Sequence, residues 1–254
     1  MSRWPWIVGP LKYLSRRIGN VASYLEDPRR VAVRRTGVQI NAFLMLDLPW
    51  IRNYGFKTVL DIGANVGEFA VAVRHVMPEA TVIAFEPLPE VFEKLQQRLG
   101  NDPKCRLFNL GWGDKAGELK FHRNAFAPSS SFLEMTKLHK DAFPHTRDET
   151  EATVRVEKLD DIAAALSLAE PMLIKMDVQG YENVVIDGGE ATVRRAAVVI
   201  METSFELLYE GQAEFDQLVA RMRGFGFRYH GALDQLSDPR DGRVLSADAI
   251  FIRQ

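Results

Sequence analysis

The chain reads as an α/β protein on a mostly parallel sheet, and three observations carry that reading. From Lys57 onward, short apolar runs alternate with segments of helical period. Strands that alternate with helices make a parallel sheet covered on both faces. The run Val59-Leu60-Asp61-Ile62 contains an acid and leads into Gly63-Ala64-Asn65-Val66-Gly67, with two glycines four residues apart. A second run, Thr81 to Pro87 (TVIAFEP), ends on Glu86. Adjacent parallel strands of this kind hold ligands beyond their carboxyl ends.

Taken in order, the chain opens with Leu11, Leu14, Ile18, Val21 and Leu25 at helical spacing, and Lys12, Arg16 and Arg17 fall elsewhere on the wheel. Two expectations follow. The helix packs on the domain or on a second subunit, as in a homodimer. Otherwise its basic, amphipathic character seats it on an anionic membrane surface, with Trp4 and Trp6 at the interface. Asp27-Pro28 starts a second helix, since proline is tolerated in a first turn. The helical pattern runs with interruptions to about Trp50, so residues 1–52 are expected as a helical extension and 53–254 as the main domain. Strand 58–62 precedes a helix at 66–77, stopped by Pro78; strand 81–85 precedes a helix at 88–99, ended by Gly100-Asn101. Strand 105–109 follows, then short strands at 118–122 and 153–157, a helix at 158–168 and strand 172–177. A helix at 181–187 leads to strand 196–201, and a last helix at 212–223 precedes strands 225–230 and 247–252. The final two strands are joined without a helix, which fits an antiparallel last pair. Residues 123–150 are long, polar and weakly periodic, as functional loops often are, and are expected to form a lid over the substrate.

Composition narrows the function. With 254 residues, 46% of them hydrophobic, the chain can bury a substantial core. The net charge of −2 conceals an asymmetry. Residues 1–35 hold eight basic side chains against Glu26 and Asp27, a net of +6, so the remainder carries −8. That acidic body argues against a nucleic-acid partner. Cys105 is the only cysteine, which excludes an internal disulfide and a cysteine-based metal site. No compact ligand spacing announces any other metal, and none is expected. No apolar run approaches the roughly 20 residues needed to span a bilayer, and no small-residue cleavage site follows the N-terminal apolar patch. The expectation is a cytoplasmic protein, peripheral at the inner face of the membrane where its N-terminus binds there.

The first strand-to-helix turn discriminates between cofactors. A dinucleotide fingerprint needs G-x-G-x-x-G, so that a pyrophosphate can sit on the helix N-terminus. Here Asn65 holds the middle position and Glu68 the third, and an acid in the first turn is a poor neighbour for a diphosphate. The Gly-Lys-Ser/Thr phosphate loop is also absent. S-adenosylmethionine carries no phosphate and bears a sulfonium cation. It requires close backbone approach, which Gly63 and Gly67 supply, and it favours nearby carboxylates such as Asp61. Glu86 ends the next strand, where two ribose hydroxyls can donate to its two oxygens.

With these segments in view, the chain resembles the FkbM family of class I, Rossmann-like S-adenosylmethionine-dependent methyltransferases. The resemblance rests on VLDIGANVGEF, IAFEPLPEVFEKL, FNLGWGDKAGELKFH, APSSSFLEM, VEKLDDI and LIKMDVQGYENVVIDGG, and runs from about Lys57 to the C-terminus. It implies a mostly parallel seven-stranded sheet with an antiparallel last strand. It implies that Asp61, Gly63, Asn65 and Gly67 border the methionine end of the cofactor and that Glu86, followed by Pro87, binds the ribose. It places the adenine near Asn109 to Asp114, including Gly113, with Asp114 as partner of its amino group. Asp177 is expected to face the methyl-transfer site. The chain departs from the family at Gln179, where an acid is usual, which weakens a carboxylate role there. Enzymes of this family mostly methylate hydroxyls, so the resemblance implies O-methylation of a sugar, glycolipid, polysaccharide or natural-product scaffold.

A hydroxyl acceptor must lose a proton during transfer. The candidate bases are Asp177, Glu202, His139 and His145. Asp177 closes a strand over the switch point, with Lys175 two residues earlier and hence on the same face. Lys175 either assists the site or forms an ion pair that only fixes geometry. Ser129, Ser130 and Ser131 offer hydroxyls to cofactor or sugar, or form a turn bonded to its own backbone.

Overall fold

The computed structural model describes residues 27–37 and 40–254. The basic helix expected around residues 11–25, with Trp4 and Trp6, lies outside the described residues. Three short helices come first: α1 (Pro28–Arg35), α2 (Ile40–Leu46) and α3 (Pro49–Asn53). Asp27 caps α1 by accepting from the Arg29 amide, and Pro28 occupies its first turn. Phe43, Leu46 and Ile51 carry these helices onto one face of the sheet, where they share an apolar cluster with Val73, Val82 and Ile200.

The strands are β1 (Thr58–Ile62), β2 (Thr81–Phe85), β3 (Cys105–Phe108), β4 (Gly111–Trp112), β5 (Gly117–Asn124), β6 (Glu149–Glu157), β7 (Met172–Met176), β8 (Val198–Ser204), β9 (Phe227–Ser237) and β10 (Val244–Arg253). Seven of them form one sheet in the order β3-β2-β1-β7-β8-β10-β9. All neighbours are parallel except β10, which runs antiparallel to β8 and to β9. The chain builds outward from β1 to β3, then returns to lay β7 on the other side of β1. The β1/β7 boundary is therefore the switch point, where an open α/β sheet leaves a crevice. Helices α4 (Glu68–Val76) and α5 (Pro89–Leu99) cover the face occupied by α1–α3. Helices α7 (Leu159–Ala164), α8 (Glu182–Gly188), α9 (Glu190–Val193) and α10 (Phe215–Gly224) belong to the opposite face, which holds Leu60, Ile174, Met222 and Phe251.

The structure corrects several boundaries. The strands expected at 118–122 and 153–157 are longer and do not join the main sheet. They form a separate sheet, β4-β6-β5, in which β5 and β6 pair antiparallel from Gly117 opposite Val156 to Asn124 opposite Glu149. The expected lid at 123–150 is thus strand at both ends. Its middle is ordered by a 3-10 turn (Ala127–Ser129), helix α6 (Lys137–Ala142) and a second 3-10 turn (Pro144–Thr146). Bridges from His122 to Ser131 and from Met135 to Tyr209 pin this segment down. The turn-rich stretch expected after residue 230 is the far half of a long β9–β10 hairpin. Strand β8 extends to Ser204, so Glu202 lies within it rather than at its end.

The turn after β1 is where the backbone is most crowded. Gly63 has φ +80°, and a Cβ there would stand 2.0 Å from the Asp177 carbonyl oxygen. Asn65 (φ +49°) and Gly67 (φ +89°) are also left-handed, and Gly67 starts α4. Asparagine tolerates this region because its side chain bonds locally: Asn65 Oδ1 accepts from the Val66 amide at 2.7 Å. Gly63→Ala therefore meets both backbone strain and a backbone clash. Chemical denaturation is expected to show a loss of at least about 2 kcal/mol, with cofactor binding lost by calorimetry.

Candidate active site

Beyond the ends of β1, β2 and β7 lies a cleft bordered by Gly63, Asn65, Glu86, Pro87, Gly111, Trp112, Ser130, Asp177 and Gln179. Glu86 sits at its base, 6% exposed. Its Oε2 accepts from the Asn65 amide at 3.0 Å and its Oε1 from the Leu88 amide at 2.9 Å. Each oxygen keeps a lone pair for a ligand hydroxyl. Burial pushes this carboxyl up to about 7, against the pull of those two amides. Leu88, Val91, Leu110, Phe121 and Phe132 complete an apolar slot. Gly111 keeps it open, since a Cβ there would stand 2.8 Å from the Phe132 ring.

One orphaned group fits a bound nucleoside: the Trp112 indole N–H, on a residue that lines the cleft, is buried and unpartnered. The Asp61 carboxylate, expected to border the cofactor, is fully buried, does not line the cleft and stands 3.9 Å from Lys175 Nζ. Burial raises Asp61 to about 6, partly countered by Lys175. Several expected contacts lie elsewhere. Asn109 Nδ2 donates to the Glu86 and Pro87 carbonyls and so braces the ribose side from behind. Gly113 packs against Gly188, whose Cβ would stand 2.0 Å from the Gly113 carbonyl oxygen. Asp114 is half exposed beside Lys115. Asn109, Gly113 and Asp114 do not line the cleft; the adenine side is apolar wall instead. Gly67 caps α4 against Leu95.

A second cavity of about 400 Å³ adjoins the first, and Pro128, Asp177 and Gln179 line both. It gathers all four candidate bases, Asp177, Glu202, His139 and His145, with Asp248 added. Phe126, Phe143, Leu208 and Leu236 supply apolar surface. The segment 125–148 thus forms one wall of this cavity. Of the serines, Ser129 faces the second cavity and Ser130 the first. Ser131 is structural: its Oγ donates to the Gln179 carbonyl at 2.7 Å.

Gln179 occupies the centre. Its Nε2 donates to Asp177 Oδ1 and to Glu202 Oε2, both at 2.7 Å. Its Oε1 accepts from the Tyr209 hydroxyl at 2.8 Å, which fixes the way the amide faces. The amide thus takes the place of a third acid with a neutral bridge between two carboxylates. Lys175 Nζ stands 3.0 Å from Asp177 Oδ2 on the other side. Lys175 does not line either cavity and acts as a buried counter-ion. Glu202 Oε1 accepts from Ser246 Oγ at 2.8 Å. Burial, then the neighbouring Asp177, Glu182 and Asp248, hold Glu202 well above the ordinary carboxylate range. Burial raises Asp248 to about 6. His139 is 3% exposed and burial drops it to about 4, so it is neutral and a weak base at pH 7. His145 stands edge-on to Phe126 at 5.2 Å. Among the described residues, no group of three or more histidines, cysteines or acids could hold a metal ion.

Asp248 and Tyr209 carry no motif, and their roles depend on strand pairing that no local pattern announces. One signal was available for Gln179: it sits two residues beyond Asp177, next to Gly180.

Residues 61–229, well over half of the chain, match the Methyltransferase FkbM domain. A 2-O-methyltransferase, NoeI, of Sinorhizobium fredii is 32% identical over 61% of this chain and 66% of that protein, just under two thirds of its length. The 31-O-demethyl-FK506 methyltransferase FkbM of Streptomyces tacrolimicus is 28% identical over 70% of this chain and 75% of that protein. The hexuronic acid methyltransferase AglP of Haloferax volcanii is 24% identical over 56% of this chain and 54% of that protein. The chain belongs to the FkbM methyltransferase family.

Two outcomes follow from this geometry. The reading of Glu86 as the acceptor of two ribose hydroxyls requires it ionised, and its ligand-free value near 7 then means that protonation opposes binding below that pH. Cofactor affinity measured by calorimetry is expected to fall about tenfold from pH 8 to pH 6, and Glu86→Gln to bind weakly at both. The sign for stability is opposite. The folded carboxyl keeps a proton that the unfolded one has lost, so this group makes the ligand-free protein less stable as pH rises from about 4.5 to 7. Tyr209→Phe frees the Gln179 amide, and kcat is expected to drop at least about tenfold, or ~1.4 kcal/mol, with cofactor affinity unchanged.

Proposed function

We propose that this FkbM-family methyltransferase is an O-methyltransferase whose acceptor, a hydroxyl of a saccharide or of a hydroxylated natural product, sits in the second cavity. The observation that carries this reading is the shared wall. Asp177 and Gln179 belong to both cavities, so a donor in one and an acceptor in the other meet at a carboxylate. S-adenosylmethionine supplies an electrophilic methyl on a sulfonium when bound. The residues of this chain do the rest by positioning and by moving one proton.

Asp177 takes the proton from the acceptor hydroxyl as its oxygen bonds to the methyl carbon and the carbon–sulfur bond breaks. Lys175 and the Gln179 amide hold Asp177 from two sides, which aims it. Glu202 shares the same amide, and the burial that favours its protonated form leaves Asp177 as the base. His139, neutral at pH 7, can accept a hydrogen bond from an acceptor hydroxyl. Phe126, Phe143, Leu208 and Leu236 exclude water and offer flat apolar surface of the kind that the C–H face of a sugar ring covers. The relative named for hexuronic acid methylation supports a carbohydrate acceptor, and the one named for 31-O-demethyl-FK506 supports a natural-product scaffold.

Among the described residues no helix is long and apolar enough to cross a membrane. Mass spectrometry of polysaccharide, glycolipid and small-molecule fractions from cells with and without the protein is expected to show a difference of one methyl in one fraction. Asp177→Asn is expected to bind cofactor normally and to abolish turnover; near-normal turnover would remove Asp177 as the base.

A further inference from the structure

The walls of the second cavity carry a charge pattern that the reaction itself does not need. Asp177, Glu202 and Asp248 line it, and among its lining residues there is no lysine or arginine. A smaller opening of about 160 Å³ continues from it past Glu202 and Asp248 to Asp234. Glu202 and Asp248 stand directly opposite each other across β8 and β10. Two carboxyls in that register cannot both ionise without repulsion, so the fold keeps this pair at a cost. Neutral partners relieve only part of it: Ser246 and Gln179 donate to Glu202, whereas no donor to Asp248 is evident in its surroundings.

The charged groups around these acids are committed elsewhere. Lys175 pairs with Asp177 and Asp61 behind the wall and offsets Asp248 only in part. Lys140 faces Glu134 and Arg147 faces Asp141, both outside the lining. His139, buried and neutral, also lines this cavity. Carboxyl groups and a neutral imidazole around one cavity suit a ligand rich in hydrogen-bond donors.

Resting on the reading of this cavity as the acceptor site, we propose that it selects acceptors by charge: a hydroxyl flanked by a protonated amine is preferred over a neutral polyol, and a neutral polyol over one flanked by a carboxylate. The acceptor class is then an amine-bearing polyol, of the amino-sugar or aminocyclitol type. An ammonium placed between Asp248 and Glu202 supplies the counter-charge and donors this pair lacks. A carboxylate in the same place adds a further negative charge to an acid-lined cavity, where repulsion is poorly screened. The apolar wall at Phe126 and Phe143 accommodates the ring, and a cation near those faces is further favoured.

The test uses the full chain loaded with S-adenosylhomocysteine and two probe series that differ only in charge. One series is methyl glucosaminide, methyl glucoside and methyl glucuronide. The other is 2-aminocyclohexanol, cyclohexanol and 2-hydroxycyclohexanecarboxylate. Binding is read by ligand-observed NMR titration. In at least one series the amine is expected to bind at least tenfold tighter than the carboxylate, with the neutral member between them. Asp248→Asn, and separately the surface change Leu236→Lys at the cavity rim, are expected to shrink that ratio by threefold or more. A reversed or flat order in both series, no binding of any probe, or an unchanged ratio in both variants overturns the proposal. Ordered binding of the cyclohexane series alone keeps the charge selection and removes the saccharide reading instead.

Discussion

One buried ammonium holds the functional end of this sheet together. Lys175 on β7 pairs in register with Asp61 on β1, so the two side chains emerge side by side at the switch point. Its Nζ reaches Asp177 at 3.0 Å and Asp61 at 3.9 Å and lies over the Phe69 ring. Burial works against its charge, but the Asp177 and Asp61 carboxylates outweigh that and raise its pKa. Take the ammonium away and Asp61, Asp177 and Asp248 face one another in a low-dielectric setting with no compensation, the costliest arrangement a core can hold. The cofactor cleft, the shared wall and the acceptor cavity all sit around this one cation.

The parts of the structure legible in the sequence are those set by local spacing. The Gly63–Gly67 turn, the acids ending the first two strands and the alternation of strand and helix depend on neighbours within a few residues, and they specify the sheet and the cofactor side. The acceptor side depends on pairing between distant strands. Asp248 comes to Glu202 only because β10 inserts antiparallel beside β8, and the periodicity of β9 and β10 is blurred by bulges and one open face. Gln179 illustrates a different failure. Judged as a missing acid it loses a role; judged by geometry it is a donor to two acids, held in place by a tyrosine thirty residues away in sequence. The small sheet β4-β6-β5 was hidden because two of its strands look like ordinary members of the main sheet. Asp114 looked like an adenine partner by order along the chain, but the β4 backbone carries it past the cleft to solvent.

The division of labour between strands follows from this. Strands β1, β2 and β4 furnish the cofactor side with backbone turns, one carboxylate and apolar wall. Strands β8 and β10 and the segment 125–148 furnish the acceptor side with charge and aromatic surface. The first set is constrained by crowding, as at Gly63 and Gly111, where even a methyl group is refused. The second is constrained by electrostatics, and it carries an opposed pair of acids that packing alone would not retain.

Asp177 and Gln179, common to both chambers, have a thermodynamic consequence. A ligand on one side that changes the charge or hydrogen bonding of this pair changes what the ligand on the other side meets. The two binding equilibria are thereby linked, and linkage is reciprocal: whatever factor the donor contributes to acceptor affinity, the acceptor returns to the donor. With donor and acceptor in the two chambers as proposed, the escape of the methylated product and that of the cofactor remnant are coupled through the same two side chains.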